Sequence, residues 1–197
     1  MTVKRHIGIY AGTFDPIHSG HVAFAVQTLE QCQLDQVIIL PEPRPRKKHA
    51  VTDLVHRIEL AKRAIATVPH IDVARLSSEQ FTIKQTLPEL TSLFPDATFT
   101  FLFGSDIAKK LSNDWKDIDV LLRQAHLAIG MRSSDDETDV IASLTALEAT
   151  YGVPVRYTLI YTPKTNVASS HIRQGYKEIA HIHEDVNEYI EKNNLYK

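Results

Sequence analysis

The chain has 197 residues, about 1.3 times a typical domain of roughly 150, which predicts a single domain over 1–197 whose last part, about 169–197, is helical. Apolar residues at 43% exclude a disordered chain, and 22 Lys+Arg against 24 Asp+Glu exclude the global basic field of a nucleic-acid-polymer binder, so any anion site must be local. A single cysteine, Cys32, excludes an internal disulfide, and no apolar run approaches the roughly 18 residues of a membrane span; both point to a cytoplasmic protein with no membrane partner.

Strand-length apolar runs alternate with segments of helical spacing. Ile7–Tyr10 leads to Gly20–Gln33, with Val22, Ala25, Val26 and Leu29 on one stripe. Gln36–Leu40 leads to Asp53–Ala66, with Leu54, Ile58, Ala61 and Ile65 on its stripe and Thr52 or Asp53 as N-cap. Ile71–Leu76 precedes a helix over Thr82–Phe94 that must absorb Pro88, and Thr98–Phe103 precedes Ile118–Gln124. His126–Met131 precedes Asp136–Tyr151, while Val155–Tyr161 precedes Ser169–Gly175 and a last helix near Asp185–Lys192. This alternation predicts an α/β fold, a doubly wound, mostly parallel sheet with helices on both faces and a small C-terminal helical segment.

Such sheets bind ligands beyond the carboxyl ends of their strands, near the topological switch point, so the loop Ala11–Ser19 is the first candidate site. Three of the seven glycines, Gly8, Gly12 and Gly20, lie around it, as expected where backbone must approach something closely. The proline-stiffened loop Pro41–His49 carries Arg44, Arg46, Lys47 and Lys48, either as a solvated charge run or to close over an anionic substrate.

The most specific stretch is Gly12-Thr-Phe-Asp-Pro-Ile-His-Ser-Gly-His21. With Gly20 opening a helix, His18 and His21 share its first turn, where free backbone N–H groups and the helix dipole attract phosphate and two imidazoles add donors. No cysteine or carboxylate stands nearby at a characteristic ligand spacing, so no protein metal site is expected. Ser169 and Ser170, followed one turn later by Arg173, form a second anion seat, paired with the first at opposite ends of the sheet domain.

The first stretch resembles the signature of the H-x-G-H nucleotidyltransferases and is most similar to the bacterial-type nicotinate mononucleotide adenylyltransferases. Phe81-Thr82 with Thr86-Leu87, Gly104-Ser-Asp106, Trp115, Arg132, Val167–Arg173 and the tail Val186–Tyr196 resemble that family's further motifs in the same order, over essentially the whole chain. The resemblance implies a Rossmann-like fold and transfer of AMP from ATP to nicotinate mononucleotide, giving deamido-NAD and pyrophosphate, with Mg²⁺ carried mostly by the phosphates. It places Gly12, Thr13, Phe14, His18, Gly20, His21, Gly104, Asp106, Ser169, Ser170 and Arg173 around ATP, with His18, His21 and Arg173 catalytic. Lys47, Lys48, Thr82, Trp115 and Arg132 would meet the mononucleotide. For Trp115 the choice is a stacking platform or a core anchor, and for Asp106 a ribose contact, a helix N-cap, or both. The rivals are an adenylyltransferase acting on nicotinamide mononucleotide or phosphopantetheine, and a nucleotide-binding regulatory protein without turnover. Monomer and homodimer are both compatible with the sequence.

Overall fold

The computed structural model describes residues 4–45, 50–111, 115–131, 136–162, 169–173 and 182–196. The elements in chain order are β1 Arg5–Gly12, α1 Ser19–Gln31, β2 Gln36–Pro41, α2 Leu54–Ala64, β3 Ile71–Val73, α3 Ile83–Leu93, β4 Ala97–Gly104, α4 Ser105–Ala108, α5 Ile118–Gln124, β5 Ala125–Met131, α6 Asp136–Tyr151, β6 Tyr157–Tyr161, α7 Ser169–Arg173 and α8 Glu184–Lys192. All six strands run parallel in the order β3-β2-β1-β4-β5-β6. The chain thus winds outward one way from β1, then returns to begin again at β4, which puts the switch point between β1 and β4. Ile9 pairs with Phe101, so three residues on, Gly12 and Gly104 end their strands level with each other.

The period-two alternation of the strands divides the apolar residues between two cores. Ile38, Leu40, Phe99, Phe101, Phe103, Leu127 and Ile129 face α3, α5 and α6, while Val37, Ile39, Leu102 and Ala128 face α1, α2 and α8. Among the described residues no helix is long and apolar enough to cross a membrane.

Three departures from the sequence-based expectation have local causes. β3 stops at Val73 instead of reaching Leu76: Ala74 N–H donates to Ile39 O, and the next ladder bond would need a donor from Pro41, which has none. The buried side of α2 is Arg57, Leu60, Ala61 and Ala64, rotated from the expected stripe because a buried arginine carries no apolar signal. Gly8 is small for the sake of packing and not for a ligand, since a Cβ there would lie 2.8 Å from Leu34 Cδ1 and 2.9 Å from Val37 Cγ2.

At the amino ends of the strands, far from the switch point, a polar ladder crosses the α1 face of the sheet. His6 Nε2 lies 2.8 Å from Thr100 Oγ1 and His126 Nε2 lies 2.9 Å from Thr158 Oγ1. Burial pulls His6 below the usual histidine range against the opposing pull of Asp35; burial also lowers His126, reinforced by His6 and Arg156. A folded-state value below the unfolded one means that the unfolded chain binds more protons between the two values, so stability falls as pH drops through about 6.5. We expect the urea midpoint to decrease between pH 7.5 and 5.5, and that slope to flatten in the His6→Gln/His126→Gln double variant, followed by tryptophan fluorescence.

Candidate functional site

β1 delivers the loop 13–18 to the switch point, and α1 leaves from it. His18 is the N-cap of α1, in extended backbone, so the helix opens at Ser19, one residue before the expected Gly20. The spacing of three lays the two imidazoles together, centroids 3.7 Å apart and 28° from parallel. His18 N–H donates to His21 Nδ1 at 3.3 Å, which assigns that nitrogen as the acceptor and the proton of neutral His21 to Nε2. The first turn of α1 carries no acidic residue, so its positive end is not neutralised from within.

Aromatic packing fixes His21. Phe14, 3% exposed and at φ 49°, meets the His21 ring edge-on at 5.2 Å and the Tyr10 ring at 5.1 Å. A Cβ on Gly12 would sit 3.0 Å from the Phe14 ring, so glycine there is what lets the ring fold back over the strand end. The Phe14 side chain therefore supports His21 from behind.

The second motif does not lie at the opposite end of the domain from the first, as the sequence suggested, but directly on it. Ser169 Oγ donates to Pro16 O at 2.9 Å and Arg173 Nη1 to Asp15 O at 2.5 Å. Short α7 is thereby seated on the loop that carries the histidines, and Ser170 and Arg173 are exposed beside it. At the neighbouring strand end Gly104, not Asp106, is the N-cap of α4. Asp106 sits one residue into that helix with its Oδ1 folded over residue 104, where a Cβ would come within 2.6 Å of it.

The expected acceptor side is less complete. Lys47, Lys48 and Arg132 lie outside the described residues, as do Arg46 and the helix continuation to Gly175. Thr82 is the N-cap of α3, its hydroxyl accepting Gln85 N–H at 3.4 Å. Half-buried Trp115 meets Phe81 edge-on at 5.5 Å and Phe103 at 5.1 Å, which anchors one side of the indole in the core. Arg44, from the basic loop, pairs with Glu79 at 2.8 Å on the surface, which favours the solvated reading for that one cation.

Sequence reasoning missed the residues that hold the loops. Asp15, 3% exposed, accepts from Tyr196 OH at 2.7 Å through Oδ1 and from Thr52 N–H at 3.3 Å through Oδ2. Burial pushes the Tyr196 hydroxyl well above its usual range, and the acidic neighbour Asp15 adds to this. Arg57, 1% exposed, donates to four backbone carbonyls, those of Thr13, Glu42, Pro43 and Thr52. A charge three residues before Leu60 and four before Ala61 is on the sheet-facing side of α2, and that helical spacing was the available signal.

The cytidylyltransferase-like family model matches residues 9–175, from the middle of β1 to just past α7. The chain belongs to that family. A relative named "Probable nicotinate-nucleotide adenylyltransferase" from Lachnoclostridium phytofermentans is 31% identical over 98% of this chain and 99% of its own length. One of the same name from Clavibacter sepedonicus is 31% identical over 100% of this chain and 96% of its own. In fold, the chain is similar to the nicotinic acid mononucleotide adenylyltransferase of Plasmodium falciparum solved with NaAD, at TM-score 0.75, 24% identity, and coverage of 98% and 97% of the two chains.

Removing the Tyr196 hydroxyl leaves a buried carboxylate short of a donor. We expect Tyr196→Phe to lower unfolding stability by about 1–3 kcal/mol in urea titrations, with the secondary structure unchanged by circular dichroism.

Proposed function

We propose that this protein transfers AMP from ATP to nicotinate mononucleotide, giving deamido-NAD and pyrophosphate. The observation that carries the reading is the seating of Ser169 and Arg173 on the histidine loop at the switch point, in a chain whose full-length relatives bear that activity in their names. A phosphate oxygen of the mononucleotide attacks the α-phosphorus of ATP, the new P–O bond forms, and the bond to pyrophosphate breaks. The nucleophile is already an anion and needs no general base. The work left to the protein is alignment and neutralisation of the charge that gathers on the phosphate oxygens.

The residues divide that work. The Gly12 and Thr13 backbone and the open end of α1, with Gly20 in its first turn, receive the triphosphate. His21, with its proton on Nε2, donates to the α-phosphate oxygens as charge develops, and stacked His18 fixes its plane. Arg173 has five N–H donors; the bond to Asp15 O sets the guanidinium, and its remaining donors, with the Ser170 hydroxyl and the main-chain N–H of Ser169, hold the β- and γ-phosphates, the Ser169 hydroxyl being spent on Pro16 O. Gly104 and Asp106 meet the ribose of ATP, while Lys47, Lys48, Thr82, Trp115 and Arg132 form the acceptor side.

A divalent cation, Mg²⁺ in this reading, would be carried mostly by the triphosphate that Arg173 and the open end of α1 hold. The donor set fits an ion bound mainly by phosphate oxygens: among the described residues no three His, Cys, Asp or Glu side chains are grouped as ligands, and the Asp15 carboxylate is engaged by Tyr196 and Thr52. When bound, it neutralises charge on the pyrophosphate leaving group.

His21→Ala is expected to reduce kcat by roughly 100-fold or more with the KM for ATP within a few-fold, since the lost donor acts chiefly in the transition state. Near-normal turnover in steady-state pyrophosphate release would remove His21 from the chemistry. Incubation with ATP, Mg²⁺ and, separately, nicotinate mononucleotide, nicotinamide mononucleotide or phosphopantetheine should yield an adenylylated product with the first. Trp115→Ala should raise the KM for that mononucleotide far more than the KM for ATP; equal changes would make Trp115 a core anchor only.

A further inference from the structure

Arg57 is almost completely buried, yet no carboxylate receives its hydrogen bonds as a bidentate partner. Its Nε donates to Thr52 O at 2.7 Å, Nη1 to Thr13 O and Glu42 O at 2.8 Å each, and Nη2 to Pro43 O at 3.2 Å. The four acceptors come from three segments: the loop after β1 that carries the histidines, the loop after β2, and the approach to α2. The loop after β2 is itself tied onward, because Glu42 Oε1 accepts Phe81 N–H at 2.9 Å, beside the Trp115 cluster. The strand ladder already joins these segments, with Glu42 N–H donating to Gly12 O at 2.9 Å, and the planar fork adds side-chain bonds that hold the triphosphate loop against the segment leading to the acceptor side.

We propose that Arg57 is a positioning residue that couples the two substrate subsites, so that filling the triphosphate loop tightens the hold on Glu42 and Pro43 and raises affinity for the acceptor. This rests on the assignment of ATP and nicotinate mononucleotide made above. A carbonyl staple transmits order in both directions, so the coupling must be reciprocal. Lysine in place of Arg57 keeps a charge but presents one point of attachment, which cannot span carbonyls from three segments.

The test is calorimetric titration of the intact protein with the α,β-methylene analogue of ATP and with nicotinate mononucleotide, each alone and each with the other saturating. In the wild type the second ligand should bind at least 5-fold more tightly than alone. In Arg57→Lys that factor should fall below 2-fold while each ligand alone stays within about 3-fold of its wild-type affinity. An arginine with a merely structural role would lower the melting temperature and both single-ligand affinities together. Unaltered coupling in Arg57→Lys, or none in the wild type, overturns the proposal.

Hydrogen exchange on the wild type gives a result even where Arg57→Lys does not fold. The ATP analogue alone should slow exchange at the Glu42 and Arg44 amides, which donate to Gly12 O and Glu79 O, as well as at 12–21, and protection confined to 12–21 counts against the coupling. Failure of the wild type to bind nicotinate mononucleotide at all is a failure of the acceptor assignment, and the exchange result still decides for Arg57.

Discussion

A buried guanidinium must find acceptors for a rigid fork of donors, and in this fold Arg57 finds them in the main chain of the loops that the function needs held. Desolvation by burial pulls its pKa down, opposed most strongly by Asp15. The compensation is mainly hydrogen bonding to carbonyl dipoles, which leaves no pre-formed carboxylate pair to compete with an incoming anion. The site thus draws order from a cation whose charge faces backbone. Asp15 completes the arrangement from the other side, binding Tyr196 near the end of the chain and the Thr52 amide before α2. Segments distant in sequence close on four residues of loop, and α7 joins them through Pro16 and Asp15.

Much of the fold was legible in the sequence because its signals are local. Six apolar runs were six strands, and Ile118–Gln124 and Asp136–Tyr151 were helices at those limits. What failed to read were features decided by partners. Pro41 ended β3 from a neighbouring strand, and the α2 stripe rotated because one of its buried positions is an arginine. Four-residue α4 is too short to carry a period. At the site, the histidine pair was legible because helical spacing alone sets i and i+3 side by side. The contact between α7 and the loop was not, since 153 residues separate Ser169 from Pro16 and no local pattern encodes their meeting. Phe14 and Thr82 were read as ligand contacts because they stand within motif-like stretches. In the structure their side chains do supporting work, one behind His21 and one at the head of α3.

The two ends of the sheet solve different electrostatic problems. The amino end buries imidazoles beside threonine hydroxyls, where desolvation favours their neutral form. The carboxyl end gathers donors on strand ends and helix starts, where partial positive charge is built into the backbone. With a net charge of -2 the molecule offers no broad attractive field, so an anionic substrate must be drawn by that one end. The division follows from all-parallel topology, which points every strand's carboxyl end the same way and sets the starts of α1 and α4 at the level of the switch point.

Transfer between two phosphates adds a further demand, because attacking and leaving groups are both anions and a fixed carboxylate in contact with either would oppose the reaction. The described carboxylates nearest the loops already accept internal hydrogen bonds: Asp15 from Tyr196 and Thr52, and Glu42 from the Phe81 amide. Each is thereby aimed at the scaffold. In the proposed site the groups left to meet the triphosphate are imidazole, hydroxyl, guanidinium and main-chain N–H, with the Asp106 carboxylate kept to the ribose. The acids stiffen the frame from behind while the donors face forward, and that separation of roles lets a chain with slightly more acidic than basic residues build a site for two polyanions.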